Sequence, residues 1–212
     1  MKIDILNTSD RHPINNYLEK FKSEFEISHS VSILRSSSEL SGGDILFLIS
    51  CNEKLKKEKL DLYDYRFVLH ASDLPKGRGW SPHIWDIING ANDIWLSLID
   101  AADEIDTGDI YFKLKIEVPK SALWDEINHI IFNAEIQLMK YAVEHHGKLK
   151  PSSQSNEIEA SYYKKRTPND SEIDPTKSLV DQFDLIRVCD PNRFPAFFDL
   201  NGVKYKIILE KV

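Results

Sequence analysis

The sequence predicts an α/β fold built on a doubly wound, mostly parallel sheet. Two observations carry this. Short apolar runs of strand length alternate with segments of helical periodicity. One of those runs, GGDILFLIS at 42–50, is continuously apolar over ILFLI, as a strand covered on both faces must be. A chain of 212 residues that is 42% hydrophobic is long enough to bury one such core.

In chain order, KIDIL and VSILR read as strands. Between them HPINNYLEKFKSEF places Ile14, Tyr17, Leu18, Phe21 and Phe25 at helical spacing, with Pro13 suited to a first turn. The charged run at 54–59 reads as a solvated helix face. YRFVLHAS is the next strand, and SPHIWDIINGAND is a short helix stopped at Gly90. IWLSLIDAA and DIYFKLKIEV follow as strands. A long helix over 121–146 sets Leu123, Ile127, Ile130, Ile131, Ala134, Leu138, Tyr141 and Ala142 on one face, with Ser121 as its cap and Gly147 as its end. From Pro151 a polar stretch, PSSQSNEIEASYYKKRTPNDSEIDPTKS, is too long for an idle connection and is either functional or disordered. A helix, SLVDQFDLIRVC, and a last strand, VKYKIILEK, close the chain. The expected organisation is a catalytic domain over 1–150 and a C-terminal extension over 151–212 packed on the same domain.

The net charge of −7 argues against broad binding of nucleic-acid backbones, while leaving room for a small anion held by a few arginines. Cys51 and Cys189 form no metal or redox motif, which suggests a reducing compartment. The start MKIDILNTSD lacks the layout of a signal peptide, and no apolar run approaches a membrane span. A cytoplasmic protein without membrane or nucleic-acid partners is expected.

There is no glycine-rich dinucleotide fingerprint, P-loop, nucleophile elbow or zinc spacing. Two features remain. HASDLPKGRGWSP begins with His70 at the end of an apolar strand and runs through a stiff loop into a helix. DEIDTGDIY, at 103–111, holds four carboxylates around a glycine turn. Each has a plain local reading, as a structural histidine and as a capped turn. Together, at the carboxyl ends of neighbouring strands, His70 and Asp106 form a general base with an orienting partner.

LHASDLPKGRGWSPHIWDIINGAND followed by DAADEIDTGDIY resembles the signature of the 10-formyltetrahydrofolate-dependent formyltransferases. In that family a strand-end His opens an HPSLLPxxRG loop, and a later DxGD-type loop supplies an Asp. Leu74, Pro75, Arg78, Gly79 and Pro82 fall on the loop pattern. The resemblance implies a Rossmann-like fold, His70 and Asp106 as catalytic residues, and 10-formyltetrahydrofolate as co-substrate in a reaction that needs no metal. One position departs: the family has Asn two residues before the His, where this chain has Val68. Asn52, at the end of the preceding strand, or a backbone N–H is a candidate replacement. The tail, with SYYKKRTPNDSEID and LIRVCDPNRFPAFFDLNGVKYKI, and the early SDRHPIN resemble small sugar-nucleotide N-formyltransferases. Methionyl-tRNA formyltransferases carry a further nucleic-acid-binding domain, for which neither length nor charge leaves room.

The implied folate site is Ser50, Cys51, Asn52, Asp103, Ile105 and Asp109. The implied acceptor is a UDP- or dTDP-linked amino sugar, typically a 4-amino-4,6-dideoxy sugar of surface glycans. Arg11, Lys165, Arg166 and Arg187 are its diphosphate candidates, and Trp80, Tyr163 and Phe194 its sugar or base candidates. Ser9, His12, Lys76, Arg78 and Gly79 complete the expected site. Two alternatives stay open: formyl transfer to another amine, such as a metabolite or a carrier-bound aminoacyl group, and a non-catalytic folate- or nucleotide-binding protein. Phe197 and Phe198 either close the core or form the face of a homodimer.

Overall fold

In a computed structural model that describes all 212 residues, six strands form one sheet in the order β2-β1-β3-β4-β6-β7. They are β1 (Lys2–Leu6), β2 (Ser30–Leu34), β3 (Gly43–Leu48), β4 (Tyr63–His70), β6 (Asp93–Asp100) and β7 (Ile110–Glu117). The helices are α1 (Asn15–Phe25), α2 (Lys57–Leu60), α3 (Pro82–Ile88), α4 (Trp124–Glu144) and α5 (Phe183–Arg187). The first four strands pair in parallel, whereas β6 runs antiparallel to β4 and β7 antiparallel to β6. The sheet is thus mostly parallel, with an antiparallel edge.

Strand alternation divides the interior into two cores. Ile3 and Ile5 of β1, Ile45 and Phe47 of β3, and Phe67 of β4 pack under α1 and α4 through Leu18, Phe21, Ile131 and Leu138. The opposite face carries Leu6 and Leu46, covered by Leu40, Leu55 and Leu60. Buried Asp4 points to this smaller core, where the Tyr63 hydroxyl donates to Asp4 Oδ2 at 2.6 Å. Burial and that carboxylate push the Tyr63 phenol up.

Several expected elements take a different form. The charged run at 54–59 contributes only the start of the one-turn α2. Helix α4 begins at Trp124, and its cap is the Glu126 carboxylate accepting the Leu123 N–H at 2.9 Å, not Ser121. The last helix is only the five residues of α5. Beyond it β9 (Ala196–Leu200) pairs antiparallel with β10 (Val203–Ile207) around Asn201–Gly202, both at positive φ. Such a two-residue turn matches strand twist and favours Asn-Gly.

The polar stretch after Pro151 is ordered by the loops beneath it. Ser152 exchanges two backbone hydrogen bonds with Ile110, and β8 (Tyr162–Tyr163) pairs in parallel with β5 (Arg78–Gly79). Ile173 N–H donates to Phe197 O. No helix is long and apolar enough to cross a membrane.

Candidate active site

His70 is the last residue of β4 and is buried. The loop that follows is braced from three directions. Ser97 Oγ donates to Ser72 O at 2.8 Å, Lys113 Nζ reaches both Asp73 Oδ1 and Leu74 O at 2.6 Å, and Gly77 N–H donates to Ser161 Oγ at 2.9 Å. This bracing places Gly77 O 2.8 Å from His70 Nε2. The stiff loop therefore fixes the ring from one side.

Asp106 fixes it from the other, by a route the strand order did not suggest. Because β6 is antiparallel, its end at Asp100 pairs with Phe67, three residues short of His70, or about 10 Å at the usual rise per residue. The loop over 101–109 climbs back along the sheet, and Asp106 Oδ1 comes to 3.4 Å from His70 Nδ1. That is longer than a charge-assisted hydrogen bond of about 2.7–2.9 Å. Gly79 N–H holds the other carboxylate oxygen at 2.8 Å. With oxygen acceptors before both nitrogens, the ring can donate to both only as imidazolium.

Two glycines make this close packing possible. A Cβ on Gly79, whose φ is +97°, would lie 2.3 Å from Tyr163 O, and one on Gly108 would lie 1.8 Å from Asp100 O. Asp106 itself is left-handed at φ +59°, as are Ser50 and Ser81 at +47°. All three line one cavity. Non-glycine residues in that region cost about 1–2 kcal/mol and persist where their surroundings over-determine them.

Gln154 supplies much of that determination. Its Nε2 donates to Asp106 O at 2.8 Å and Gly108 O at 2.9 Å, and its Oε1 accepts from the Arg78 guanidinium at 2.6 Å. One amide side chain thus ties the loop after His70 to the loop carrying Asp106.

The cavity, about 650 Å³, lies at the carboxyl ends of β3 and β4 and reaches residues of both cores. On one side Leu48, Leu55, Leu60 and Val68 belong to the smaller core or pack on it. On the other, Ile131, Phe132 and Val188 belong to the larger core. His70 and Asp106 line the same cavity.

Of the expected residues, Ser9, His12, Ser50, Cys51, Asn52, Gly79, Trp80, Asp103, Ile105, Lys165, Arg166 and Phe194 also line it. Burial pushes the Cys51 thiol up. Lys165 Nζ lies 4.5 Å from the Trp80 ring centroid. Asn52 spends its backbone N–H on Thr8 Oγ1, and its side chain makes no hydrogen bond to His70 or Asp106.

Six residues lie elsewhere. Arg187 is fully buried, bonded to Asp184, Pro119 O and Ala122 O, and braces the start of α4. Arg78 is spent on Gln154 and the Tyr162 hydroxyl. The Tyr163 hydroxyl donates to Asp86 at 2.6 Å and stands outside the cavity wall. Arg11 and Lys76 are exposed outside it, and Asp109 is exposed where its carbonyl accepts the Asp100 N–H.

Sequence reasoning missed His83, Asn128, Glu135 and Arg193 in the wall, and Gln154 behind it. For Glu135 a signal existed. It is a carboxylate on the helical face set by Ile127, Ile131 and Leu138.

Fold and site together define an α/β domain with a cavity at the carboxyl ends of β3 and β4, lined by a His–Asp pair. No protein-family model matches the chain. It is 30% identical over 168 residues to a methionyl-tRNA formyltransferase of Clostridium beijerinckii, covering 77% of this chain and 53% of that protein. It spans about half the length of the curated relatives it matches. The solved methionyl-tRNA formyltransferase of Clostridium thermocellum superposes with a TM-score of 0.81 at 26% identity, covering 96% of this chain and 90% of that one. An N-formyltransferase of Helicobacter canadensis, solved with folinic acid and dTDP-3-aminofucose, shares the fold at a TM-score of 0.72 and 16% identity, over 95% and 85% of the two chains. The chain belongs to the formyltransferase family.

Proposed function

We propose that the protein transfers a formyl group from 10-formyltetrahydrofolate to the amine of a nucleotide-linked amino sugar. The observation that carries this reading is the His70–Asp106 pair on the rim of a cavity whose two halves differ in chemistry. The half over the smaller core, walled by Leu48, Leu55, Leu60, Val68 and Ile99, suits a flat heterocycle. The other half gathers Lys165, Arg166 and Arg193 beside Trp80 and Phe194, which suits an anionic nucleotide. The Helicobacter canadensis relative, with its two bound ligands, supports the same pairing.

The folate, when bound, supplies an activated formyl group. His70 acts as a donor from Nδ1, since its Nε2 is engaged with Gly77 O. That N–H, oriented by Asp106, stabilises negative charge developing on the formyl oxygen. Val68, an apolar residue, adds no donor there. Asp106 Oδ1, which faces His70 Nδ1 while the Gly79 N–H holds its twin oxygen, also accepts a hydrogen of the incoming amine.

The test is formyl transfer from 10-formyltetrahydrofolate to a panel of dTDP- and UDP-linked amino sugars, with methionyl-tRNA as a parallel acceptor. Turnover with a sugar nucleotide, reduced about 100- to 1000-fold in His70→Ala for loss of one oxyanion donor, is expected. Turnover with methionyl-tRNA alone overturns the acceptor, and undiminished turnover in both His70→Ala and Asp106→Ala overturns the site.

A further inference from the structure

Helix α4 presents Trp124, Asn128, Ile131 and Glu135 to the cavity, residues three or four apart and therefore stacked on one stripe. That stripe continues the apolar face of the larger core, where an ionised carboxylate has no place without a partner. Glu135 has none: its Oε2 is enclosed by protein and meets no donor. Burial pushes its carboxyl up to about 8, so it is protonated at neutral pH and both donates and accepts. His83, at the start of α3, lines the same cavity with Nδ1 enclosed and unbonded. Burial first, then the charges of His70, Arg166 and His12, push its ring down to about 4, so it too is neutral. The cations of this half are Lys165, Arg166 and Arg193.

We infer that Glu135 and His83 form a polar lining that binds the hydroxyl- and amine-bearing ring of the acceptor, while the anionic part of that molecule stays with Lys165, Arg166 and Arg193. With Oε2 and Nδ1 enclosed, Glu135 and His83 meet the cavity through Oε1 and Nε2; an apolar occupant would leave these ends unpaired, and a ring that hydrogen-bonds them is favoured. They therefore select a polyhydroxylated ring over an apolar side chain. This assignment rests on the sugar-nucleotide reading above, yet it can fail separately.

The experiment measures binding to the full chain of four probes: dTDP, dTDP-4-amino-4,6-dideoxyglucose, free glucosamine and tetrahydrofolate. Wild type is compared with Glu135→Leu, Glu135→Gln and His83→Phe, each checked for an unchanged melting profile. Loss of one hydrogen-bonded group predicts sugar-nucleotide affinity about tenfold weaker in Glu135→Leu and in His83→Phe, with dTDP and tetrahydrofolate affinities unchanged. Glu135→Gln, which keeps a donor and an acceptor, stays within about threefold of wild type. Sugar-nucleotide affinity unchanged in Glu135→Leu and His83→Phe overturns the inference and leaves the proposed activity standing. Wild-type binding of glucosamine, lost in Glu135→Leu, with no binding of either nucleotide, supports the polar lining and overturns the nucleotide assignment. Binding of no sugar in any form overturns both.

Discussion

Replacing Gln154 with Leu removes three hydrogen bonds from the frame that holds Asp106, at 2.8, 2.9 and 2.6 Å. The two to carbonyls contribute about 1 kcal/mol each and the one from the guanidinium about 2 kcal/mol. Their loss is not fully additive, because Gln154 is half-buried and water replaces part of them. The expected weakening of the frame is therefore about 2–4 kcal/mol. Strain acts in the same direction, since Asp106 at φ +59° relaxes by leaving its present conformation. The Gly79 N–H that donates to Asp106 Oδ2 reports the opening directly. Its hydrogen exchange should quicken about 30- to 1000-fold, at 1.4 kcal/mol per decade. Turnover should fall about 10- to 100-fold with acceptor KM nearly unchanged, as for a misplaced catalytic group. Gln154→Glu keeps an acceptor for Arg78 but sets a carboxylate against two carbonyl oxygens, and should fare no better than Leu. Exchange within threefold of wild type, with turnover within twofold, would refute the idea that this amide positions Asp106.

Arg187→Leu leaves Pro119 O and Ala122 O without their donor, and should cost about 2–4 kcal/mol in urea unfolding while folate and nucleotide affinities hold. A weakened nucleotide affinity with full stability would restore Arg187 as a ligand. Gly108→Ala forces a Cβ to within 1.8 Å of Asp100 O, backbone against backbone, so the 101–109 loop must shift. Turnover should drop at least tenfold, a loss that wild-type kinetics in the purified variant would contradict. Burial pushes His12 and His83 down to about 4 from 6.5, so between those pH values the unfolded chain binds more protons and stability falls on acidification. Glu135 works in the opposite sense: raised to about 8, it keeps a proton in the folded state that the unfolded chain has released. Its stabilising contribution is therefore lost as pH rises toward 8. Between pH 6.5 and 8 the urea midpoint should decline in wild type and decline less in Glu135→Gln, and equal slopes would count against a protonated Glu135.

Strands β1, β3 and β4 were legible because each is an apolar run bounded by turn residues, and the pairing of His70 with Asp106 was legible from a motif at a strand end. The direction of β6 was not, because strand sense depends on where the chain crosses the sheet and leaves no mark on periodicity. The β9–β10 hairpin was available from Asn201–Gly202, an Asn-Gly turn between apolar runs, of which only the second, VKYKIILEK, reads as a strand from sequence alone. Arg187 was misassigned because a charged residue in an extension suggests solvent, and only the fold shows two carbonyls at the start of α4 that require a donor. Gln154 carries no sequence signature. Its role comes from β6 and β7 delivering one loop and β4 another to within reach of a single amide.

The strap formed by Ser152, Gln154, Ser161 and β8 bears on how the protein is made. Every strand of the central sheet, and α4 as well, lies before residue 145, so the nascent chain can pair its sheet on the ribosome before the strap emerges, while core residues such as Ile173, Ile186 and Val188 follow later still. The hydrogen bonds from Ser161 and Gln154 that frame His70 and Asp106 form only after roughly twenty more residues are added, which makes this arrangement a late event in translation.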